Sequence, residues 1–319
     1  MRAGCAAALL LSLSLAEPCM AAPESDFSSR LDALWEFDAP AASETRFRSE
    51  LARHPVGSRE AREAATQVAR SLGLQRKFDA GDATLDALVA SLDSGPARIR
   101  VRYLLERGRL RNSSGQQAAA VPLFKDAVDA ARADALPDAD YYRVDALHML
   151  GIAAPAPEQL DWNLKALAAA DASADNRARG WRGSLLNNIG WTYHERGDHV
   201  TALDYWQKAL AAREADGDVK RTRIARWTVA RGLRSVHRLD EAEAIQLALV
   251  AETERERTPD GFVYEELAEI ALARSDADAA KPWAAKAYAI LKNDIWIGAN
   301  EPSRLARLAR VGGIAGAPP

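Results

Sequence analysis

Two amphipathic segments joined by a short turn, within residues 183–216, constrain the fold of this chain more than any other feature of its sequence. In the first segment, apolar or small residues recur at positions 186, 189, 190 and 193, which share one face of a 3.6-residue helix. In the second segment, positions 202, 206 and 209 share one face in the same way. Small residues at Gly190, Ala202 and Ala209 allow two helix axes to approach closely. The segment therefore predicts a pair of packed helices.

The same spacing returns along the rest of the chain. When the second helix of each pair is aligned on Ala202 and Ala209, the equivalent positions are mostly alanine. The residues equivalent to Ala202 are Ala80, Ala120, Gln159, Ala242 and Ala280, and those equivalent to Ala209 are Ala87, Ala127, Ala166, Leu249 and Ala287. Ten of the twelve aligned residues are alanine, so the chain is predicted to repeat one helix pair about six times.

Two prolines test this alignment independently. Pro122 and Pro282 each lie two residues after an aligned alanine. We expect both in the first turn of a helix, where a missing N–H does little harm. Two units depart from the pattern, since residues 141–174 contain a shortened turn and residues 60–93 lack the glycine and tyrosine of the first helix.

Residues 183–216 resemble the tetratricopeptide repeat (TPR), whose consensus places a large residue, Leu-Gly, Tyr, Ala, an aromatic residue and Ala at these spacings. The sequence NNIG at 187–190 and a unit spacing near 40 residues make the chain similar to the long-repeat variant of kinesin light chain-type arrays. The resemblance implies an all-α, right-handed α-solenoid of about six TPR-like helix pairs with N- and C-terminal capping helices. It also implies a non-catalytic scaffold that holds a protein or peptide partner in a concave groove.

The two ends of the chain are predicted to differ from the array. Residues 1–22 contain Arg2, an Ala- and Leu-rich run and small residues before a cleavage position, an order typical of a secretory signal peptide. Residues 23–57 are expected to form an N-terminal helical cap, and residues 58–294 the TPR-like array. Residues 295–319 are expected to form a capping helix, started by Asn300 and Pro302, and a disordered tail.

The signal peptide predicts a bacterial protein that is periplasmic or secreted. A cytoplasmic location is the alternative, if translation starts at Met20. Both cysteines, Cys5 and Cys19, lie in this segment, so the mature chain is expected to hold no disulfide and no cysteine-ligated metal. The apolar run is shorter than the roughly 20 residues that a membrane span needs, so no integral membrane segment is expected in the mature chain.

Charge and motif content argue against several other functions. The net charge is −3 with both signs mixed, so nucleic acid is not an expected partner. No Gly-rich phosphate loop and no Gly-x-Ser-x-Gly elbow occurs in the sequence. His194 and His199 lack the spacing of a zinc site and are expected to be solvated loop residues. We therefore predict no catalytic residue, metal or cofactor, and an enzyme built on His194 and Glu265 is the least favoured alternative.

The resemblance implies that the binding residues lie on the first helix of each pair, outside the packing positions. The predicted groove residues are Arg109, Asn112, Asn187, Trp191, His194, Trp227, Arg231, Arg234, Glu265 and Glu269. Asparagine and arginine can bond an extended backbone or a carboxylate, and tryptophan supplies contact area. For Trp191 and Trp227 the alternative is packing against the next unit. We expect that Arg231 and Arg234 can be replaced by alanine without loss of stability.

A second functional hypothesis is a peptide-sensing regulatory protein, in which a bound peptide changes the curvature of the array. Such a protein would act through a separate output partner, because no output domain can be placed in the sequence beside the repeats.

Overall fold

Helices form all the regular structure in the computed structural model, which describes residues 27–93, 95–132, 136 and 138–314. These residues contain seventeen α-helices and one short 3-10 helix, and no β-strand occurs among them. In chain order the helices are α1 (Phe27–Asp32), α2 (Pro40–Ala52), α3 (Arg59–Leu74), α4 (Phe78–Asp86), the 3-10 helix η1 (Val89–Ser91), α5 (Ala97–Ser113), α6 (Gln117–Ala130), α7 (Ala139–Ala153), α8 (Ala156–Ala172), α9 (Asn176–Arg179), α10 (Arg182–Glu195), α11 (His199–Asp216), α12 (Val219–Ser235), α13 (Leu239–Arg255), α14 (Gly261–Ala273), α15 (Ala277–Leu291), α16 (Ile295–Asn300) and α17 (Pro302–Val311). The predicted all-α class is confirmed.

Six successive helix pairs form the array: α3 with α4, α5 with α6, α7 with α8, α10 with α11, α12 with α13, and α14 with α15. Adjacent pairs also pack on each other, for example α11 on α12 and α13 on α14. The predicted solenoid of TPR-like pairs is therefore confirmed. We call the face formed by the first helices α3, α5, α7, α10, α12 and α14 the inner face.

Glycines on the first helices make room for large side chains on the second helices. A Cβ atom added at Gly190 would lie 2.4 Å from Nε1 of Trp206, a side chain that is fully buried. In the pair with the shortened turn, Gly151 of α7 faces Asn163 of α8 in the same manner. Because protein interiors are close-packed, these contacts hold the spacing of the repeat.

The alanine alignment is correct in five pairs and displaced by one residue in the first. Ala80 and Ala87 are exposed, whereas Gly81 and Leu88 are buried in their place. Gly81 lies against the side chain of Leu110 on α5. The predicted alignment was wrong here because alanine is so common that one lies beside the true packing position.

Pro122 and Pro282 occupy equivalent positions, but neither lies in a first turn. Helix α6 begins at Gln117 and α15 at Ala277, so each proline is the sixth residue of its helix. There a proline removes one backbone hydrogen bond of the helix. The shared register was predicted correctly, and the position in the first turn was wrong.

Further helices pack on both ends of the array. At the N-terminal end, Phe27 and Leu31 of α1 and Phe47 of α2 form an apolar cluster with Val68 and Leu72 of α3. At the other end, α17 packs on α15 and buries Leu308 in the last apolar cluster.

The N-cap position of α17 is Glu301 and not Asn300, and α16 was not predicted. The predicted signal peptide at residues 1–22 and most of the predicted disordered tail lie outside the described residues. Within the part of the chain that the structure describes, no helix is both long and apolar enough to span a membrane.

Candidate functional site on the inner face

The first half of the inner face is covered by the chain's own N-terminal segment, residues 27–38. In this segment Asp32 accepts a hydrogen bond from Arg102 of α5 at 2.8 Å and another from Arg177 of α9 at 2.7 Å. The indole N–H of Trp35 donates to Gln67 of α3 at 3.0 Å. Because these contacts use side chains on the inner face of α3 and α5, that part of the face is already occupied.

Arg109, a predicted groove residue, lies in a buried ion-pair network in this first half. It donates to Glu106 at 2.6 Å and to Asp145 of α7 at 2.6 Å. Burial opposes its charge, but the two carboxylates outweigh that effect and raise the pKa of Arg109 above its ordinary value. Asn112 lies three residues farther along α5. Neither residue lines the open part of the inner face.

An open cleft of about 530 Å³ lies in the second half of the inner face, between α10, α12, α14 and α17. We call it the C-terminal cleft. Its lining residues are Trp191, Trp227, Arg231, Arg234, Phe262, Glu265, Glu269, Glu301, Arg304 and Arg307. Six of the ten predicted groove residues therefore come together in one place, where three aromatic rings meet four arginines and three glutamates.

Trp191 and Trp227 pack against neighbouring helices and also face the C-terminal cleft. The ring of Trp191 lies 5.0 Å from that of Trp206, centroid to centroid, and the indole N–H of Trp227 donates to the carbonyl oxygen of Phe262 at 3.0 Å. The Arg231 guanidinium lies 5.3 Å from the ring centroid of Trp191 and 5.9 Å from that of Trp227. Trp227 thus packs on the next pair, as the alternative has it, whereas Trp191 packs on the second helix of its own pair, and both line the C-terminal cleft.

Two arginines of α17 pair with the glutamates of α14. Arg304 donates to Glu265 at 2.8 Å and to Glu301 at 2.7 Å. Arg307 donates to Glu269 at 2.8 Å. Burial opposes ionisation of Glu269, but the hydrogen bond and charge of Arg307 outweigh it and lower the pKa of that carboxyl. Glu269 therefore remains ionised and paired with Arg307.

Arg231 and Arg234 differ in how they are paired. Arg234 donates to Glu266 at 2.5 and 3.2 Å, and Glu266 is only 1% exposed. Arg231 has one ion pair, with a nitrogen 3.7 Å from an oxygen of the same Glu266, and its buried Nε has no hydrogen-bond partner. Arg234 is therefore part of the internal structure, whereas Arg231 is poorly neutralised.

His194 lies in α10, beside the C-terminal cleft. Its Nε2 atom is 3.0 Å from the hydroxyl of Ser235, and its ring centroid is 4.6 Å from that of His199, the first residue of α11. Burial, together with the charge of Arg231, lowers the pKa of His194 to about 4. The predicted solvated loop position was therefore wrong for His194 and for His199, since both lie in helices and are only partly exposed. Among the residues that the structure describes, no group of three or more His, Cys, Asp or Glu residues could hold a metal ion.

A smaller pocket of about 340 Å³ lies next to the C-terminal cleft, towards α7. Asn187 and Asn188, one turn before Trp191 on α10, line it together with Ile152 and Ile224. These two isoleucines are 43% and 55% exposed. Amide groups beside exposed apolar side chains can hold an extended backbone and its apolar residues at the same time.

Four residues that line the C-terminal cleft were not predicted: Phe262, Glu301, Arg304 and Arg307. The repeat itself could have identified Phe262, which precedes Ala280 by the same spacing that separates Ile224 from Ala242. Arg304 and Arg307 come from α17, outside the repeat. No repeat position in the sequence indicates where that helix packs.

Six helix pairs with this packing define the fold as a TPR-like repeat array. No family model matches the sequence, and no curated protein matches it significantly. Among solved structures, the apo form of RapI is similar with a TM-score of 0.66 and 7% identity, over 90% of this chain and 79% of that chain.

Two further solved structures are similar. NprR in complex with its cognate peptide NprX gives a TM-score of 0.55 and 15% identity, over 90% of this chain and 84% of that chain. A single-substitution variant of nearly identical TPR-like repeats of a putative kinesin light chain from Podosopora anserina gives 0.51 and 17%, over 60% of this chain and 95% of that chain. The resemblance to kinesin light chain-like TPR repeats is thereby confirmed at the level of the fold.

Proposed function

We propose that the protein binds an extended segment of another polypeptide along the open half of its inner face and catalyses no reaction. The observation that carries this proposal is the row formed by the smaller pocket and the C-terminal cleft along α10 and α12. Exposed isoleucines line the smaller pocket, and tryptophans line the C-terminal cleft. A preformed surface of this kind loses little entropy when a flexible segment docks, and neighbouring contacts add to the affinity.

An extended peptide fits this surface better than a compact small molecule. The two pockets are open and follow successive turns of the same two helices, so a ligand must be elongated to contact both. The similar fold of NprR, solved with a peptide bound, supports a peptide as the kind of ligand.

The N-terminal segment favours a rigid scaffold over the alternative of a peptide sensor. Its contacts join α3 and α5 to α9, and Asp38 also pairs with Lys220 of α12 at 2.7 Å. A change in curvature would have to separate these partners. We therefore propose that the array keeps its shape when a partner binds.

A photo-crosslinking experiment tests the proposed function. p-Benzoylphenylalanine is placed at Ile152 on the inner face, and in a control variant at Leu247 on α13, which is the second helix of its pair. The two positions are matched in exposure, at 43% and 45%. We expect irradiation of the native cells to crosslink the Ile152 variant to one linear segment of a partner, identified by mass spectrometry. Absence of a crosslink, or the same products from both variants, contradicts the proposal.

A further inference from the structure

The carboxylates of the C-terminal cleft are already satisfied by arginines of the chain. Glu265 and Glu301 bind Arg304, and Glu269 binds Arg307. A cationic group of a ligand would have to displace one of these hydrogen-bonded arginines before it could pair. The cleft therefore offers no ready position for a cation.

Arg231 is the exception among the four arginines of the cleft. Its single ion pair is long, at 3.7 Å, and the carboxylate that it reaches, Glu266, is bound more closely by Arg234. Burial and the charges of Arg234 and Arg304 lower the pKa of Arg231, despite the opposite effects of Glu266 and Glu265. An arginine remains charged at neutral pH even so, and its environment is thus short of negative charge.

We propose that Arg231 binds a carboxylate of the partner peptide, between the rings of Trp191 and Trp227. This inference rests on the proposed function and names the ligand group that the cleft recognises. The carboxylate is either that of an acidic side chain or that of the peptide's C-terminus.

The geometry at Arg231 suits such a group. A guanidinium contacts aromatic rings through its flat face, so the N–H groups along its edge remain available to donate to a carboxylate. Arg231 is 30% exposed, so a ligand can reach its outer nitrogens from the cleft.

Three small probes separate the sources of the carboxylate. N-Acetylglutamate α-amide carries only a side-chain carboxylate, N-acetylglutamine carries only a terminal one, and N-acetylglutamine amide carries neither. Binding is measured by NMR from the indole N–H signals of Trp191 and Trp227, assigned with tryptophan-to-phenylalanine variants. We expect saturable shifts with one or both carboxylate probes and none with the neutral one, and the tighter probe identifies the source.

Variants of two arginines on α12 assign the response to Arg231. In Arg231→Gln we expect the dissociation constant of the carboxylate probe to rise roughly tenfold. The matched control is Arg226→Gln, because Arg226 is 26% exposed on the same helix but pairs with Glu252 outside the cleft. Its probe affinity is expected to stay unchanged. If Arg231→Gln does not fold, Arg231→Lys keeps the charge without the planar fork and is expected to bind roughly threefold more weakly.

The inference is overturned if no probe shifts the indole signals, or if the neutral probe shifts them equally. It is also overturned if the affinity for the carboxylate probe is unchanged in both Arg231→Gln and Arg231→Lys. Crosslinking at Ile152 is independent of this result, since Ile152 lies in the smaller pocket. If the surface binds a peptide without binding its carboxylate, the crosslink at Ile152 would therefore still form.

Discussion

At the scale of single residues, the neighbours of an arginine decide what its replacement does. Arg231 and Arg234 lie one turn apart on α12 and look equivalent in the sequence. In the fold, Arg234 neutralises the buried Glu266, while Arg231 contacts the two tryptophans. For Arg234 the pairing favours the opposite of the expectation from the sequence, because its removal leaves a buried carboxylate without its close partner.

We predict that Arg234→Ala lowers the free energy of unfolding by about 2 to 3 kcal/mol, because breaking a buried ion pair leaves one charge uncompensated. Arg231→Ala should cost about 1 kcal/mol or less, mainly through its contacts with the rings. Urea denaturation followed by circular dichroism measures both values. Adding Glu266→Gln to Arg234→Ala should restore part of the loss, and equal losses for the two single variants would argue against the assigned pairing.

At the scale of elements, the N-terminal segment functions as part of the array's first half. It brings Asp32 to two arginines that belong to α5 and α9, far apart in the sequence. Its Trp35 ring stacks on Phe37 at 4.8 Å, and the guanidinium of Arg70 lies over both rings. This segment occupies much of the inner face there and leaves a pocket of about 160 Å³, whereas the two larger pockets described on that face lie in the second half.

Two aspartates of this region provide a matched test. Asp32→Ala removes the hydrogen-bonded carboxylate of Arg102, whose side chain is only 4% exposed and keeps a longer ion pair with Glu63, and we predict a loss of about 2 kcal/mol in stability. Asp38→Ala removes an exposed pair with Lys220 and should cost less than about 0.5 kcal/mol. Thermal denaturation gives the comparison, and hydrogen exchange should show faster exchange at residues 27–38 in Asp32→Ala alone. Similar effects of both changes would refute a structural role for Asp32.

At the scale of the whole molecule, the array holds two partly buried histidines that are neutral at neutral pH. Burial lowers the pKa of His148 to about 4, and burial and nearby arginines lower that of His194 to about 4. In the unfolded chain a histidine titrates near its ordinary value of about 6.5. Between these values the unfolded chain binds more protons than the folded chain, so acid must favour unfolding.

We predict that the melting temperature falls as the pH is lowered from 7.5 to about 5, within the window set by these two pKa shifts. A glutamate whose pKa is lowered, such as Glu269, loses its contribution to stability only as the pH falls below the ordinary value of 4.5, so we assign the slope above pH about 5 to the histidines. In a variant with His148→Asn and His194→Asn the melting temperature should depend less on pH. A slope that is unchanged in this variant would contradict the assignment.

Much of the fold could be predicted because its signals are local. A helix face repeats every 3.6 residues, and a helix pair needs small residues where its axes approach, so Gly190 and the aligned alanines reveal the unit. The same abundance of alanine caused the error of one residue at Ala80. Six cleft residues could be predicted because the repeat places them on first helices, whereas Arg304 and Arg307 lie outside it.

The sequence by itself determined the helix pairs, their number and the helices that present the inner face, since each depends on residues a few turns apart. Only the tertiary structure decided which half of that face stays open. The N-terminal segment covers the first half through Asp32 and Trp35, and α17 supplies two arginines to the second. These contacts join residues far apart in the chain, so the local periodicity of the sequence does not predict them. Their charges determine which predicted groove residue is left poorly neutralised, and that residue is Arg231.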